Sequence, residues 1–168
     1  MEEINYNTYI REVKINKEKI ENINEYPFSL PIINDLDKLK MHPKVTFIVG
    51  ENGSGKSTLL EAIAVSYGIN PEGGTKNFNF YTRSSHSRLY EYNTLIKGIK
   101  SPKDGFFLRA ESMYNLATNI EELDSIIGPG ARVIDSYGGI SLHNQSHGES
   151  FFSVMMNRFS KNGIYILD

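Results

Sequence analysis

The chain has 168 residues, 39% of them hydrophobic and 23% charged, with 18 basic against 20 acidic side chains, a formal charge of −2 and no cysteine. That length suits one compact domain over 1–168, burying roughly 70% of the surface its unfolded chain exposes. The near-neutral balance lacks the footprint of a dedicated nucleic-acid binder, and no apolar run approaches the ~18 residues that cross a bilayer. Without cysteine, and with a charged stretch where a signal peptide would stand, the chain is expected in the cytoplasm.

The first patterns are short strands. Ile10, Val13 and Ile15 stand among polar neighbours, and Phe28, Leu30 and Ile32 do the same over 25–33, where Pro27 and Pro31 restrict any ladder to an edge or a bend. Val45, Thr46, Phe47, Ile48 and Val49 predict a strand that opens directly into Gly50, Glu51, Asn52, Gly53, Ser54, Gly55, Lys56, Ser57 and Thr58. This spacing is that of a phosphate-binding loop. Its glycines let consecutive backbone N–H groups converge on a β-phosphate, the Lys56 ammonium reaches the β- and γ-oxygens, and the Ser57 hydroxyl is placed to ligate Mg²⁺. Thr58 closes the loop's exit. The helix over Lys56–Tyr67 carries Leu59, Leu60, Ile63 and Ala64 on one face, stops at Gly68, and turns its positive N-terminus toward the anion. These residues predict binding of a nucleoside triphosphate.

A connector with Pro71, Gly73 and Gly74 leads to Tyr81, Thr82, Arg83, Ser84, Ser85, His86, Ser87 and Arg88, read either as a local basic and aromatic patch or as a solvated loop. Phe106, Phe107 and Leu108 predict a short buried strand. Arg109 follows, as a phosphate clamp or a surface cation, and then Glu111. A helix from Met113 places Leu116, Ile120, Leu123 and Ile127 at a 3.6 period and stops at Gly128, Pro129 and Gly130. A second helix from near Gly148 sets Phe151, Phe152, Met155, Met156 and Phe159 on a stripe expected to be core. Ile164, Tyr165, Ile166 and Leu167 form an apolar strand ending in Asp168. Ligands of parallel α/β sheets bind beyond the carboxyl ends of the strands, so Asp168 is a candidate second ligand for Mg²⁺. His143 and His147 have a metal-like spacing, but no Cys or third His accompanies them to make a zinc site.

Ser146, His147, Gly148, Glu149 and Ser150 resemble a variant of the signature motif of ABC-type ATPases, whose core is normally Ser-Gly-Gly-Gln; His147 and Glu149 depart from it. With the loop at Gly50 as Walker A and Asp168 as Walker B, the chain over about 28–168 resembles the small bacterial AAA/ABC-type ATPases related to SMC, RecF and ABC transporter heads. The resemblance implies an α/β fold, the three-layer P-loop NTPase sandwich of ABC-ATPase type, with an N-terminal β subregion. It implies ATP and Mg²⁺ as cofactors and catalytic roles for Lys56 and Glu111. Glu111 stands where the family carries a glutamine loop, and its alternative role is a helix-entry acid balancing the dipole. An ATP-sandwiched homodimer is also implied, in which Ser146, Gly148 and Glu149 meet the γ-phosphate held by a second protomer; the alternative is a lone capping turn. Tyr26 and Phe28 resemble in position the aromatic that stacks on adenine, and core packing is the other role open to Phe28.

In the family a water-polarising glutamate, a dimer-contact loop, a further strand and a switch histidine follow Walker B. The sequence here stops at Asp168, so the central sheet is expected to be incomplete, and ATP binding is expected of this chain, with hydrolysis in a longer parent protein. The alternatives are a non-catalytic nucleotide switch and the ATP-binding subunit of an ABC transporter, either one working with a protein or membrane partner. A small-molecule kinase is disfavoured because no Arg-rich lid is evident. DNA remains a conceivable partner without support from the net charge.

Overall fold

The computed structural model describes residues 8–70, 74–75, 86–126 and 130–168. The Tyr81 to Ser85 part of the basic patch, and the expected helix stop at Gly128 and Pro129, lie outside them.

Strand β5 (Asp104–Leu108) organises the packing, because successive side chains of a strand leave it on opposite faces. Phe107 points one way. It joins Ile166 of β6 (Gly163–Leu167) and Leu59, Ala62 and Ile63 of helix α2 (Lys56–Tyr67) in one core. Phe106 and Leu108 point the other way, into a second core with Leu116 and Ile120 of α4 (Met113–Ile126) and Val154 of α5 (His147–Arg158). Helix α2 therefore covers one face of the sheet and α4 and α5 the other, which is the expected three-layer α/β arrangement.

β5 pairs in parallel with β6, from Asp104 opposite Gly163 to Leu108 opposite Leu167, and antiparallel with the short β3 (Gly74–Thr75). Parallel strands need a long crossover, supplied here by α4 and α5. The register carries Asp168 just past the end of the sheet, where its N–H donates to Leu108 O at 2.9 Å. A second, antiparallel sheet runs β2–β1–β4, formed by β1 (Ile10–Ile15), β2 (Lys38–Lys40) and β4 (Asn93–Lys97). Ile10, Val13 and Ile15 of β1 are buried in the core shared with α2, as is Leu89 of the short helix α3 (Leu89–Tyr92). This is the N-terminal β subregion.

Three expectations are corrected. Over 25–33 there is no strand: the chain turns and enters helix α1 (Pro31–Asp35) with Pro31 in the first helical position, where its fixed φ is preorganised and its missing N–H is no loss. Phe28 and Ile33 are the buried anchors of this segment. Residues 45–49 belong to neither sheet, and Phe47 and Val49 are 84% and 86% exposed, while Ile48 packs onto the α2 core. Their β-branched pattern is a strand's, but a strand also needs a ladder partner, and none lies alongside among the described residues. The stripe on α5 splits as well. Phe151, Met155 and Phe159 pack on the second core, whereas Phe152 and Met156 are exposed. Each of those two lies one residue, ~100°, further round the helix, beyond the arc that a sheet surface covers. Among the described residues no helix is long and apolar enough to cross a membrane.

Candidate nucleotide site

Gly53 and Gly55 take φ of +79° and +101°, left-handed values that favour glycine. Gly50 does not, and is restricted by space instead, since a Cβ there would stand 3.2 Å from Ser54 Oγ. Helix α2 starts directly after Gly55, its N-cap, so Thr58 lies inside the first turn and not at the loop's exit. Gly68, at φ +87°, closes the helix by donating its N–H to Ala64 O and Val65 O. Helix α1 supports the loop from outside: Ile32 N–H donates to Ser54 O at 3.1 Å.

Lys56 folds back over the loop, its Nζ donating to Gly50 O at 2.9 Å and Glu51 O at 2.6 Å. Ser54 Oγ is buried with no hydrogen-bond partner, an uncommon state for a hydroxyl. Both features fit an anion. Lys56 can exchange neutral carbonyls for phosphate oxygens, a stronger charge-assisted pairing, and the Ser54 hydroxyl has a donor to spare.

A second part of the site joins residues far apart in sequence. Ser57 Oγ–H donates to Asp168 Oδ1 at 2.8 Å, across 111 positions of sequence. A hydroxyl and a carboxylate are the hard oxygen donors that Mg²⁺ takes, the rest of its shell coming from phosphate and water. Behind them Arg109 Nη1 donates to Glu61 Oε2 at 2.7 Å and Nε to Glu111 Oε2 at 3.2 Å, and Nε lies 3.4 Å from Asp168 Oδ2. The side chains of Asp168 and Glu61 are 15% and 10% exposed, and that of Glu111 76%. Burial pulls the Arg109 pKa down, but the hydrogen bond and charge of Glu61, with the charges of Asp168 and Glu111, hold it above the usual value. Arg109 is thus engaged by three carboxylates and is not a solvated surface cation.

Glu61 escaped sequence reasoning. It sits on α2 between Leu60 and Ala62, and its other oxygen accepts the Ser87 N–H at 2.9 Å in a buried bond. The available signal was an acid inside an otherwise apolar helical run.

The turn at Ser146 makes its hydrogen bonds with itself. Ser146 N–H and Oγ–H donate to Glu149 Oε2 at 2.9 and 2.6 Å, and Glu149 N–H donates back to Ser146 Oγ at 3.4 Å, a capping box that starts α5. The Ser146 hydroxyl, then its N–H, holds the Glu149 carboxyl below the usual carboxylate range. Gly148 has open space around it, with nothing within 4 Å of where a Cβ would stand. Phe28 is core, edge-on to Tyr92 with ring centroids 4.7 Å apart, while Tyr26 is exposed. The His143 ring is engaged by Thr118 Oγ1 at 3.0 Å and by Tyr114 edge-on.

A family model described as an AAA domain matches residues 8–124, a span that includes the loop at Gly50, Glu61, Arg109 and Glu111. The DNA replication and repair protein RecF of Colwellia psychrerythraea is 36% identical over 66 residues, covering 39% of this chain and 16% of that protein. The chain therefore spans a small part of that relative's length. No solved structure matches it.

Proposed function

The chain belongs to the AAA-domain family, and from that premise we propose that it binds ATP with Mg²⁺ at the loop over 50–58, in the cytoplasm. The observation that carries this is the 2.8 Å contact of Ser57 with Asp168, which brings the hydroxyl of the loop and the carboxylate at the end of β6 to one point beside Lys56. The backbone of Gly50, Glu51, Asn52, Gly53, Ser54 and Gly55 wraps the phosphates, Lys56 neutralises their charge, and Thr58 follows in the first turn of α2. Ser57 and Asp168 hold Mg²⁺, which supplies charge neutralisation at the β- and γ-phosphates. Comparing ATP affinity of the wild type and Lys56→Ala tests this reading: losing charge-assisted contacts worth ~1.5–3 kcal/mol is expected to weaken binding at least about tenfold. Equal affinities would end it.

Hydrolysis is proposed for an ATP-sandwiched homodimer, with Glu111 orienting water and Ser146, Gly148 and Glu149 of a second protomer facing the γ-phosphate. A second reading, a non-catalytic nucleotide switch coupled to a protein or membrane partner, is favoured by two observations. Glu111 is held on Arg109, and the Glu149 carboxylate already occupies the N-terminus of α5, where it repels a phosphate. ATP-dependent dimerisation without phosphate release supports the switch; release by the dimer supports the ATPase. A formal charge of −2 gives the chain no electrostatic footprint for the DNA in the RecF relative's name.

A further inference from the structure

The two oxygens of Asp168 are divided between two partners. Oδ1 accepts from the Ser57 hydroxyl at 2.8 Å, and Oδ2 lies 3.4 Å from Arg109 Nε. The guanidinium is itself fixed, because its Nη1 donates to Glu61 Oε2 at 2.7 Å while Glu61 Oε1 accepts the Ser87 N–H at 2.9 Å. The result is a tiered support that runs from the backbone at Ser87, through α2, to the carboxylate at the end of β6. A planar fork suits this task, since it can serve carboxylates from more than one edge at once, which a lysine cannot.

We infer that Arg109 is the positioning residue for the metal-binding carboxylate: anchored on Glu61, it holds Asp168 by Oδ2 and keeps Oδ1 turned to Ser57 and the metal. The inference rests on the reading of Ser57 and Asp168 as Mg²⁺ ligands. Stabilising the fold is a weak reason for such a cluster, because a buried ion pair offsets little more than its own desolvation. The charge count favours a metal role instead. Glu61, Glu111 and Asp168 contribute −3 against +1 from Arg109 and +1 from Lys56 beside Ser57, leaving −1, a residual negative charge that suits a cation. Arg109 also repels a cation, so its removal acts in two directions, and the geometry favours the loss of orientation over the relief of repulsion. Arg109 holds Asp168 as an ion pair, its single Nε–H being donated to Glu111 Oε2, so its contribution is expected at the lower end of the ~10–100-fold that groups hydrogen-bonding metal ligands from behind supply.

The test is calorimetric titration of ATP into the full chain in MgCl₂ and in EDTA, which gives the Mg²⁺-dependent gain in affinity. In Arg109→Ala that gain is expected to fall about tenfold while affinity in EDTA stays within about twofold, and Arg109→Lys, which keeps the charge but not the fork, is expected to recover part of it. An unchanged or larger gain in Arg109→Ala would overturn the inference. A wild type with no gain at all would remove the metal reading and the role of Arg109 with it. If Arg109→Ala does not fold, Glu61→Gln serves instead: it can still accept the Ser87 N–H but no longer pairs charge with Arg109. A several-fold smaller gain is expected of it, and a gain equal to wild type would overturn the inference.

Discussion

Gly55 has neither the conformation nor the space for a side chain. Its φ is +101°, and a Cβ would stand 2.8 Å from Ile32 Cγ2 and 3.1 Å from Leu30 Cβ. Gly55→Ala is expected to lower unfolding free energy in urea by ~1–3 kcal/mol from backbone strain alone, with further loss if α1 must shift. Gly53, at φ +79° with nothing within 4 Å, carries only the strain, so Gly53→Ala should be the milder of the two. Glycines of this kind were legible in the sequence because their demand is local. Glu61 was not, because a lone acid on a helix reads as a solvated charge, and Arg109 was noticed only as a phosphate clamp or a surface cation, its partner emerging when the fold brings Nη1 within 2.7 Å of Oε2.

Helix α5 begins on a capping box, and the box contains a titrating group. Ser146→Ala is expected to cost ~1 kcal/mol, read as a lower melting temperature. The folded Glu149 carboxyl is held below its unfolded value by Ser146, so its contribution is fully present above the unfolded value and is lost as pH falls through the folded one. Acidification should therefore weaken the cap, and Glu149→Gln should flatten the low-pH decline of the melting temperature; an unchanged decline would place the acid sensitivity elsewhere. Elements whose pattern is set within one window were legible: α2 with its glycine stop, the Met113 helix, and the strands ending at Leu108 and Leu167. The segments at 25–33 and 45–49 were misread because Pro31 decides the first and an absent ladder the second. β4 went unread: Asn93–Lys97 is only partly apolar and takes its pairing from β1.

At the scale of the whole molecule, β5 separates two cores that adjacent side chains serve in opposite directions. Phe106→Ala and Phe107→Ala each delete a fully buried ring and are each expected to cost ~3–5 kcal/mol. Only Phe107 shares a core with α2, so in folded protein Phe107→Ala should also weaken ATP binding, while Phe106→Ala should loosen α4 and α5 and leave it unchanged. Equal effects on ATP affinity would show that the layers do not act separately. The three-layer order was legible through the family resemblance carried by the loop at Gly50, the Ser146 turn and Asp168, whereas the division of labour between Phe106 and Phe107 needed the registry of β5 with β6.

The unladdered run at 45–49 also bears on time. The loop is gripped by α2 on one flank, while its other flank has no neighbouring strand among the described residues and rests on Ile48 against the α2 core, so the run from Val45 to Val49 is expected to settle fully when the proposed nucleotide engages the loop. If the run orders on binding, encounter and ordering are successive events, and the slower of them sets the pace. Capture of the proposed nucleotide is then expected to fall below the diffusional rate, which a stopped-flow association rate measures.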